Sequence, residues 1–132
     1  MRVTSIEASK ASRRIGAWTV QGVVAAAFFA AGLAKLAGAR SMVELFDQIA
    51  FGQWFRIVTG VVEIIGAVAL VFPGMAPLGG LWAGGIMVGA VATHVFILHT
   101  SPVPAIILGS LSALIVYLRR DELPAFVAFV RG

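Results

Sequence analysis

Four long apolar stretches, joined by short turns, constrain this chain more than any other feature of its sequence. They cover approximately residues 15–38, 54–72, 78–98 and 103–118. A helix needs about 20 mostly apolar residues to cross the hydrocarbon core of a bilayer. Runs of this length with very few charges are typical of membrane-spanning helices. The pattern therefore predicts an all-α integral membrane four-helix bundle, folded as a single transmembrane domain over residues 1–132.

Composition excludes a soluble globule and several kinds of chemistry. Of the 132 residues, 60% are hydrophobic and 12% are charged, whereas soluble domains carry about 25% charged residues. The chain has no cysteine, which excludes thiolate catalysis, disulfides, iron–sulfur clusters and cysteine-bound zinc. The two histidines, His94 and His99, stand five residues apart and do not share a helical face, so we expect no metal site.

Basic residues cluster at the two ends of the chain. Seven of the ten lie within residues 2–14 and 119–131, and lysine and arginine favour the cytoplasmic side of a membrane. We therefore expect both termini in the cytoplasm and the lipid bilayer, not nucleic acid, as the partner of this charge. Ala37-Gly38-Ala39 resembles a signal-peptide cleavage site, but the preceding apolar stretch is about twice the usual length of a signal core. A retained span is the favoured interpretation.

Two further segments are predicted to lie at the membrane surface. Ser41-Met42-Val43-Glu44 matches a capping box, in which a serine side chain caps a helix and a glutamate three residues later completes the cap. A short amphipathic helix is therefore predicted over residues 42–50, between the first two spans. Residues 119–132 are predicted to form a surface tail on the cytoplasmic side.

The third span is rich in glycine. Gly80 and Gly84 form one row with three intervening residues, and Gly85 and Gly89 form a second. Such rows allow helices to approach closely. They predict tight packing within the bundle or association with a second copy of the chain.

Glu63 is the sharpest candidate for a functional residue. At 1.5 Å per residue it lies about 13 Å below Trp54, which is placed as an interfacial anchor. Arg56 and Thr59 fall on the same helical face as Glu63. A carboxylate at this depth must pair, accept hydrogen bonds or stay protonated. It either handles a proton or a ligand headgroup, or forms an ion pair that holds the helices together.

Two other ionisable side chains lie in the predicted outer half of the membrane. Lys35 either extends to the interface or turns inward toward Glu63 or Glu44. His94 is either a hydrogen-bonded packing residue or a proton relay beside a ligand. Polar groups that converge in an apolar bundle indicate a binding site. The candidate ligand-binding or proton-handling residues are Glu63, Lys35, His94, Arg56, Thr59 and Trp54.

One pattern of residues runs through the first two apolar stretches. It consists of Ala31-Gly32-Leu33-Ala34-Lys35-Leu36, Arg56, the Gly60-x-x-Glu63-x-x-Gly66 run and Leu70. With this pattern the sequence resembles, over roughly residues 16–117, the DoxX family of small four-span bacterial membrane proteins. The resemblance implies a four-helix membrane bundle in the bacterial plasma (inner) membrane. It also implies association with respiratory or redox complexes, because relatives accompany thiosulfate:quinone oxidoreductase or terminal oxidase systems.

These observations lead to two functional hypotheses. The first is a redox-associated membrane subunit that binds a quinone or another small apolar ligand in the outer half of the bundle. The second is a non-catalytic anchor or assembly factor for a partner oxidoreductase, in which Lys35 and Glu63 form a structural pair. A pathway for protons or small solutes is less favoured, because four spans leave a narrow interior. Whether the protein is itself an enzyme stays open.

Overall fold

The computed structural model describes residues 2–132, and nearly all of them are helical. The six α-helices are α1 (Arg2–Leu36), α2 (Arg40–Ile49), α3 (Gln53–Val71), α4 (Ala76–Thr93), α5 (Val103–Leu118) and α6 (Leu123–Arg131). A π-helical turn (His94–Leu98) extends α4, and a 3-10 turn (Arg120–Glu122) precedes α6. There is no strand within the described range. The all-α prediction is confirmed.

Three to four segments are candidates for membrane spans. The helices Arg2–Leu36, Gln53–Val71 and Ala76–Leu98 are each long and apolar enough to cross a bilayer. Helix α5 has 16 residues, or about 24 Å at 1.5 Å per residue. It qualifies only together with Arg120–Arg131, from which it is bent by 54°. Length alone therefore supports three spans and admits a fourth.

The first helix is longer than the sequence pattern predicted. It begins at Arg2, so the polar amino-terminal arm is helical and continuous with the apolar stretch that starts near residue 15. No glycine or proline precedes Gly16, and these are the residues that most disfavour a helix interior. With 35 residues, α1 is about 50 Å long, well beyond the roughly 30 Å hydrocarbon core.

The predicted capping box is wrong. Helix α2 begins at Arg40 with Ala39 as its N-cap residue, and no side chain caps it. Ser41 lies inside the first turn, where its hydroxyl cannot take the capping position. Glu44 instead forms an ion pair with Arg40, one helical turn earlier, in which Arg40 Nε lies 2.9 Å from Glu44 Oε1. The helix itself is present and buries Phe46 and Ile49 on one face, as expected of an amphipathic segment.

The four long helices pack against one another in sequence around a common core. Helix α1 contacts α3, α3 contacts α4, α4 contacts α5, and α5 returns to α1. The core includes Val24 and Phe28 of α1, Leu70 of α3, Ala83 of α4 and Ile115 of α5. A hydrogen bond also joins the amino-terminal part of α1 to the end of α5, because Arg13 donates to the carbonyl oxygen of Leu118 at 3.0 Å. The beginning of α1 and the end of α5 therefore lie at the same end of the molecule.

The two glycine rows of α4 have different surroundings. A Cβ atom on Gly80 would lie 2.9 Å from the carbonyl oxygen of Ser112 on α5, whereas one on Gly84 would lie 3.9 Å from the Ser112 Cβ atom, an ordinary contact. A Cβ atom on Gly85 or Gly89 would meet nothing within 4 Å. Of the two rows, only the first contacts α5, with the tight approach at Gly80, and the second borders open space.

A close helix crossing brings α1 against α3 at two facing glycines. A Cβ atom on Gly32 would lie 2.9 Å from the carbonyl oxygen of Gly60, and one on Gly60 would lie 3.1 Å from that of Gly32. Lys35 and Glu63 each lie three residues beyond one of these glycines. The crossing thus sets the distance across which these two side chains must meet.

We expect Gly32→Ala to lower the free energy of unfolding by about 1–3 kcal/mol, because the added methyl group forces the two backbones apart. Gly22→Ala is the matched control, since Gly22 lies on the same helix with no atom near its Cβ position. Unfolding in detergent, followed by circular dichroism, measures both. Equal stability of the two variants would contradict the crossing.

Candidate functional site

A buried ion pair between α1 and α3 lies at the centre of the site. The Lys35 Nζ atom donates to both carboxylate oxygens of Glu63, at 3.1 Å and 3.0 Å. The two side chains are only 11% and 6% exposed. Lys35 therefore turns inward and does not extend to the interface. A two-pronged contact of this kind satisfies both charges in a medium where an unpaired charge is costly.

Arg56 binds the backbone of Lys35, next to the ion pair. Its Nη1 atom donates to the carbonyl oxygen of Lys35, near the end of α1, where backbone carbonyls lack helical partners and favour a cation. Its Nε atom donates to the side chain of Gln53 at 2.6 Å. Gln53 in turn donates to Asp47 and to the carbonyl of Val43 on α2. Arg56 thus connects the ends of α1, α2 and α3 without lining the cavity described next.

A cavity of about 320 Å³ opens beside the ion pair. Its polar lining consists of Lys35, Glu63, Thr59, Thr93 and His94. Apolar side chains of α2, α3 and α4 form the rest of the wall, including Phe46, Ile49, Phe55, Val62 and Ile86. Small-molecule sites are mostly apolar with a few well-placed polar groups, in volumes of about 300–1,000 Å³. The cavity fits this description at the lower end of the range.

His94 reaches the cavity through an irregular stretch of helix. The sequence pattern predicts a regular helix up to residue 98, but His94 begins a π-helical turn that ends at His99 in a left-handed conformation. The imidazole Nδ1 lies 2.7 Å from the Thr100 hydroxyl, and the His94 carbonyl accepts from the Thr100 amide at 2.9 Å. These contacts hold the turn and leave Nε2 as the ring nitrogen open to a ligand. Turns of this type are frequent at functional sites.

The remaining predicted site residues fall into two groups. Thr59 lines the cavity and donates to the carbonyl of Phe55 at 2.7 Å, so its oxygen can still accept a hydrogen bond. Trp54 does not line the cavity and is 64% exposed, in edge contact with Phe55. Its position suits an interfacial anchor. The structure therefore brings together Lys35, Glu63, Thr59 and His94, and leaves Arg56 and Trp54 outside the cavity.

Gln21 is a buried polar residue that the sequence reasoning missed. Its side chain donates to the carbonyl of Leu70 at 2.6 Å and accepts from Arg119 Nε at 2.8 Å. It joins α1 to α3 and α5 at the end opposite the ion pair. An uncharged amide attracts little attention beside Glu63, but a lone glutamine within an apolar run was the available signal.

The site could hold a small organic ligand more readily than a metal ion. Among residues 2–132, no group of three or more histidine, aspartate or glutamate side chains is placed to bind a metal. The cavity instead offers one ammonium, one carboxylate, two hydroxyls and one imidazole around an apolar space. Such a set has the chemistry to hydrogen-bond an uncharged molecule with polar groups on an apolar frame.

Apolar helices arranged around a buried ion pair between two of them define a small multi-pass integral membrane protein. The model of the DoxX-like family matches residues 19–118, and the chain belongs to that family. The matched range begins within α1 and ends with α5, so it includes the ion pair and His94. The family resemblance predicted from the sequence is confirmed. No curated protein matches the chain, and no solved structure does.

We expect Lys35→Met and Glu63→Leu each to lower the free energy of unfolding by about 3–5 kcal/mol, because each leaves one buried charge unpaired. The double variant is expected to lose much less than the sum. The exposed pair Arg40 and Glu44 is the control, with an expected coupling of no more than about 1 kcal/mol. A double-mutant cycle from unfolding in detergent measures both couplings, and additive losses at Lys35 and Glu63 would contradict the pair.

Proposed function

We propose that the protein binds a quinone-like ligand in the cavity beside Lys35 and Glu63 and acts as a redox-associated subunit in the membrane. The observation that carries the proposal is a buried ion pair on the wall of a mostly apolar cavity. A quinone ring is flat and apolar with a carbonyl oxygen at each end, which suits such a space. When bound, it supplies the electron transfer that none of these side chains provides.

The side chains on the cavity wall can meet both ends of such a ring. An ammonium group carries three donors, and the contacts of Lys35 to Glu63 use two of them. The third is available to a carbonyl oxygen. His94 Nε2 is a second donor in one tautomer, and Glu63 is the group that can accept or return a proton. The apolar side chains of α2 cover part of the cavity and limit the access of water to this exchange.

The proposed membrane arrangement has four spans within a single domain of residues 1–132. Its support is the Arg13 to Leu118 hydrogen bond, which places the start of α1 and the end of α5 at one end, as an even number of crossings requires. Most of the basic residues lie at that end, and lysine and arginine favour the cytoplasm. The protein then lies in a bacterial plasma membrane with both termini inside, and the cavity lies in the outer half.

We expect Gly89→Leu to weaken binding of decylubiquinone by about tenfold or more, because the new side chain takes space that the ligand needs. Gly89 lines the cavity, and its Cβ position is free of contacts. Gly22→Leu is the control, since Gly22 is equally free of contacts but lies outside the cavity. Calorimetric titration of the detergent-purified full chain measures the affinities.

A second variant tests the polar end of the same cavity. Lys35→Met combined with Glu63→Gln removes both charges together, so neither is left unpaired, and it is expected to weaken decylubiquinone binding while the cavity keeps its shape. Affinities that are equal in the wild type, the Gly89 variant and this double variant would remove the cavity as the ligand site.

A non-catalytic anchor for a partner oxidoreductase is the second candidate function. Its support is a lipid-side groove of about 620 Å³ between α4 and α5, lined by small residues that include Gly84, Gly85, Gly109 and Ala113. Small residues let another membrane helix approach closely. The groove suits a helix of a partner subunit or of a second copy of this chain.

The two candidates predict different results for Gly84→Leu, which fills the groove and leaves the cavity unchanged. For an anchor, we expect this variant to lose a stoichiometric oxidoreductase subunit that copurifies with the wild type, while decylubiquinone binding is unaffected. Quantitative mass spectrometry of the purified complex measures the subunit ratio. An unchanged ratio would contradict docking in the groove.

A further inference from the structure

A second concave site lies at the other end of the helices and is not used by the proposed ligand cavity. It has a volume of about 260 Å³ and lies between the amino-terminal part of α1 and the turn that follows α5. Four cationic and two acidic side chains line it, namely Lys10, Arg13, Arg14, Arg119, Asp121 and Glu122. Residues far apart in the sequence thus form one basic cavity.

Both acidic groups are already paired. Arg13 lies 3.3 Å from Asp121, and Arg119 lies 3.3 Å from Glu122. Lys10 and Arg14 make no ion pair with any other residue in the described part of the chain. The cavity therefore keeps two uncompensated positive charges, which attract an anion.

Arg119 forms the inner wall of the cavity, where its side chain is held by contacts with Gln21 and Trp18. Its Nε atom donates to the buried Gln21, and its guanidinium lies 5.1 Å from the ring of Trp18. Its Nη2 atom is buried without a partner, and so is the Oε2 atom of Glu122 beside it. Both atoms are covered by the protein, so the charges that a ligand can reach are those of the exposed Lys10 and Arg14.

The cavity lies where lipid headgroups meet the protein. The apolar part of α1 begins at Ile15, so the cavity residues Lys10, Arg13 and Arg14, which precede it, stand at the membrane surface. Ile15 and Trp18 are exposed next to the cavity, at 68% and 45%, and tryptophan favours the headgroup level. A molecule with a phosphate among the cations can therefore extend acyl chains along this apolar surface.

We propose that this cavity binds the phosphate of an anionic phospholipid headgroup, with Lys10 and Arg14 contacting the phosphate at the rim. Basic cavities between membrane helices are suited to such headgroups. Phosphatidylglycerol has the required chemistry, because its headgroup carries a single negative phosphate and no compensating positive charge. The continuous apolar surface beside the cavity favours a lipid over free phosphate.

The test compares two variants that each remove two positive charges from the ends of the chain. Lys10→Gln with Arg14→Gln changes the cavity, whereas Arg2→Gln with Arg131→Gln changes exposed residues outside it. Native mass spectrometry of the detergent-purified full chain measures binding of dioctanoyl phosphatidylglycerol, dioctanoyl phosphatidylcholine and inorganic phosphate. Circular dichroism checks that both variants keep their helical content.

We expect the wild type to bind phosphatidylglycerol more tightly than phosphatidylcholine. The cavity variant is expected to bind phosphatidylglycerol about ten- to thirtyfold more weakly, and the control variant no more than about twofold more weakly. Equal losses in the two variants would show diffuse attraction to surface charge and overturn the site. Equal affinity for the two lipids, or inorganic phosphate competing at the same concentration as the lipid, would also overturn it. Lys10→Gln alone, at an exposed residue without partners, keeps the test decisive if the double variant does not fold.

Discussion

The structure depends on how a lysine and a glutamate are accommodated inside a membrane. Each charge is costly there when unpaired, and Lys35 and Glu63 pair with each other where α1 and α3 cross. The facing glycines Gly32 and Gly60 make the approach close enough for a direct contact. Arg56 then secures the end of α1 by donating to the carbonyl oxygen of Lys35. The charge pair, the glycine crossing and the arginine form one unit that places the candidate site.

The cavity is formed by this unit together with α2 and the π-helical turn at His94–Leu98. Because the pair lies near the end of α1, the chain must turn back at that level, and α2 covers the opening with Phe46 and Ile49. The π-turn at His94 brings an imidazole to the opposite wall. The other end of the molecule differs, because there a hydrogen bond between Gln21 and Arg119 joins the helices beside an open basic cavity. One end is thus built around a neutralised pair, and the other keeps an excess of positive charge.

The sequence predicted the helices better than their ends. Long apolar segments are visible in the sequence, and the helices α3 and α5 lie within a residue or two of the predicted ranges 54–72 and 103–118. The predicted range 15–38 covers only the apolar part of α1, and the helix includes the polar residues before it, none of which is a glycine or a proline. The capping box failed because a motif of four residues does not exclude a helix that begins one residue earlier. Of the six candidate site residues, Lys35, Glu63, Thr59 and His94 line one cavity, whereas Arg56 and Trp54 do not. The binding of a ligand in that cavity stays a prediction, because a sequence does not show which side chains face a common space.

By itself, the sequence determined that this is an all-α membrane protein with charge concentrated at its ends and a few costly polar groups between them. These are properties of each segment, because the transfer of a residue into lipid depends mainly on its own side chain. Only the tertiary structure decided that Lys35 binds Glu63 and that Gln21 binds Arg119, 98 positions away in the chain. It also decided that Gly80 of α4 packs tightly against α5, whereas Gly85 and Gly89 border open space. Partner choice depends on which helix faces come together, and that is settled by the packing of all the helices at once.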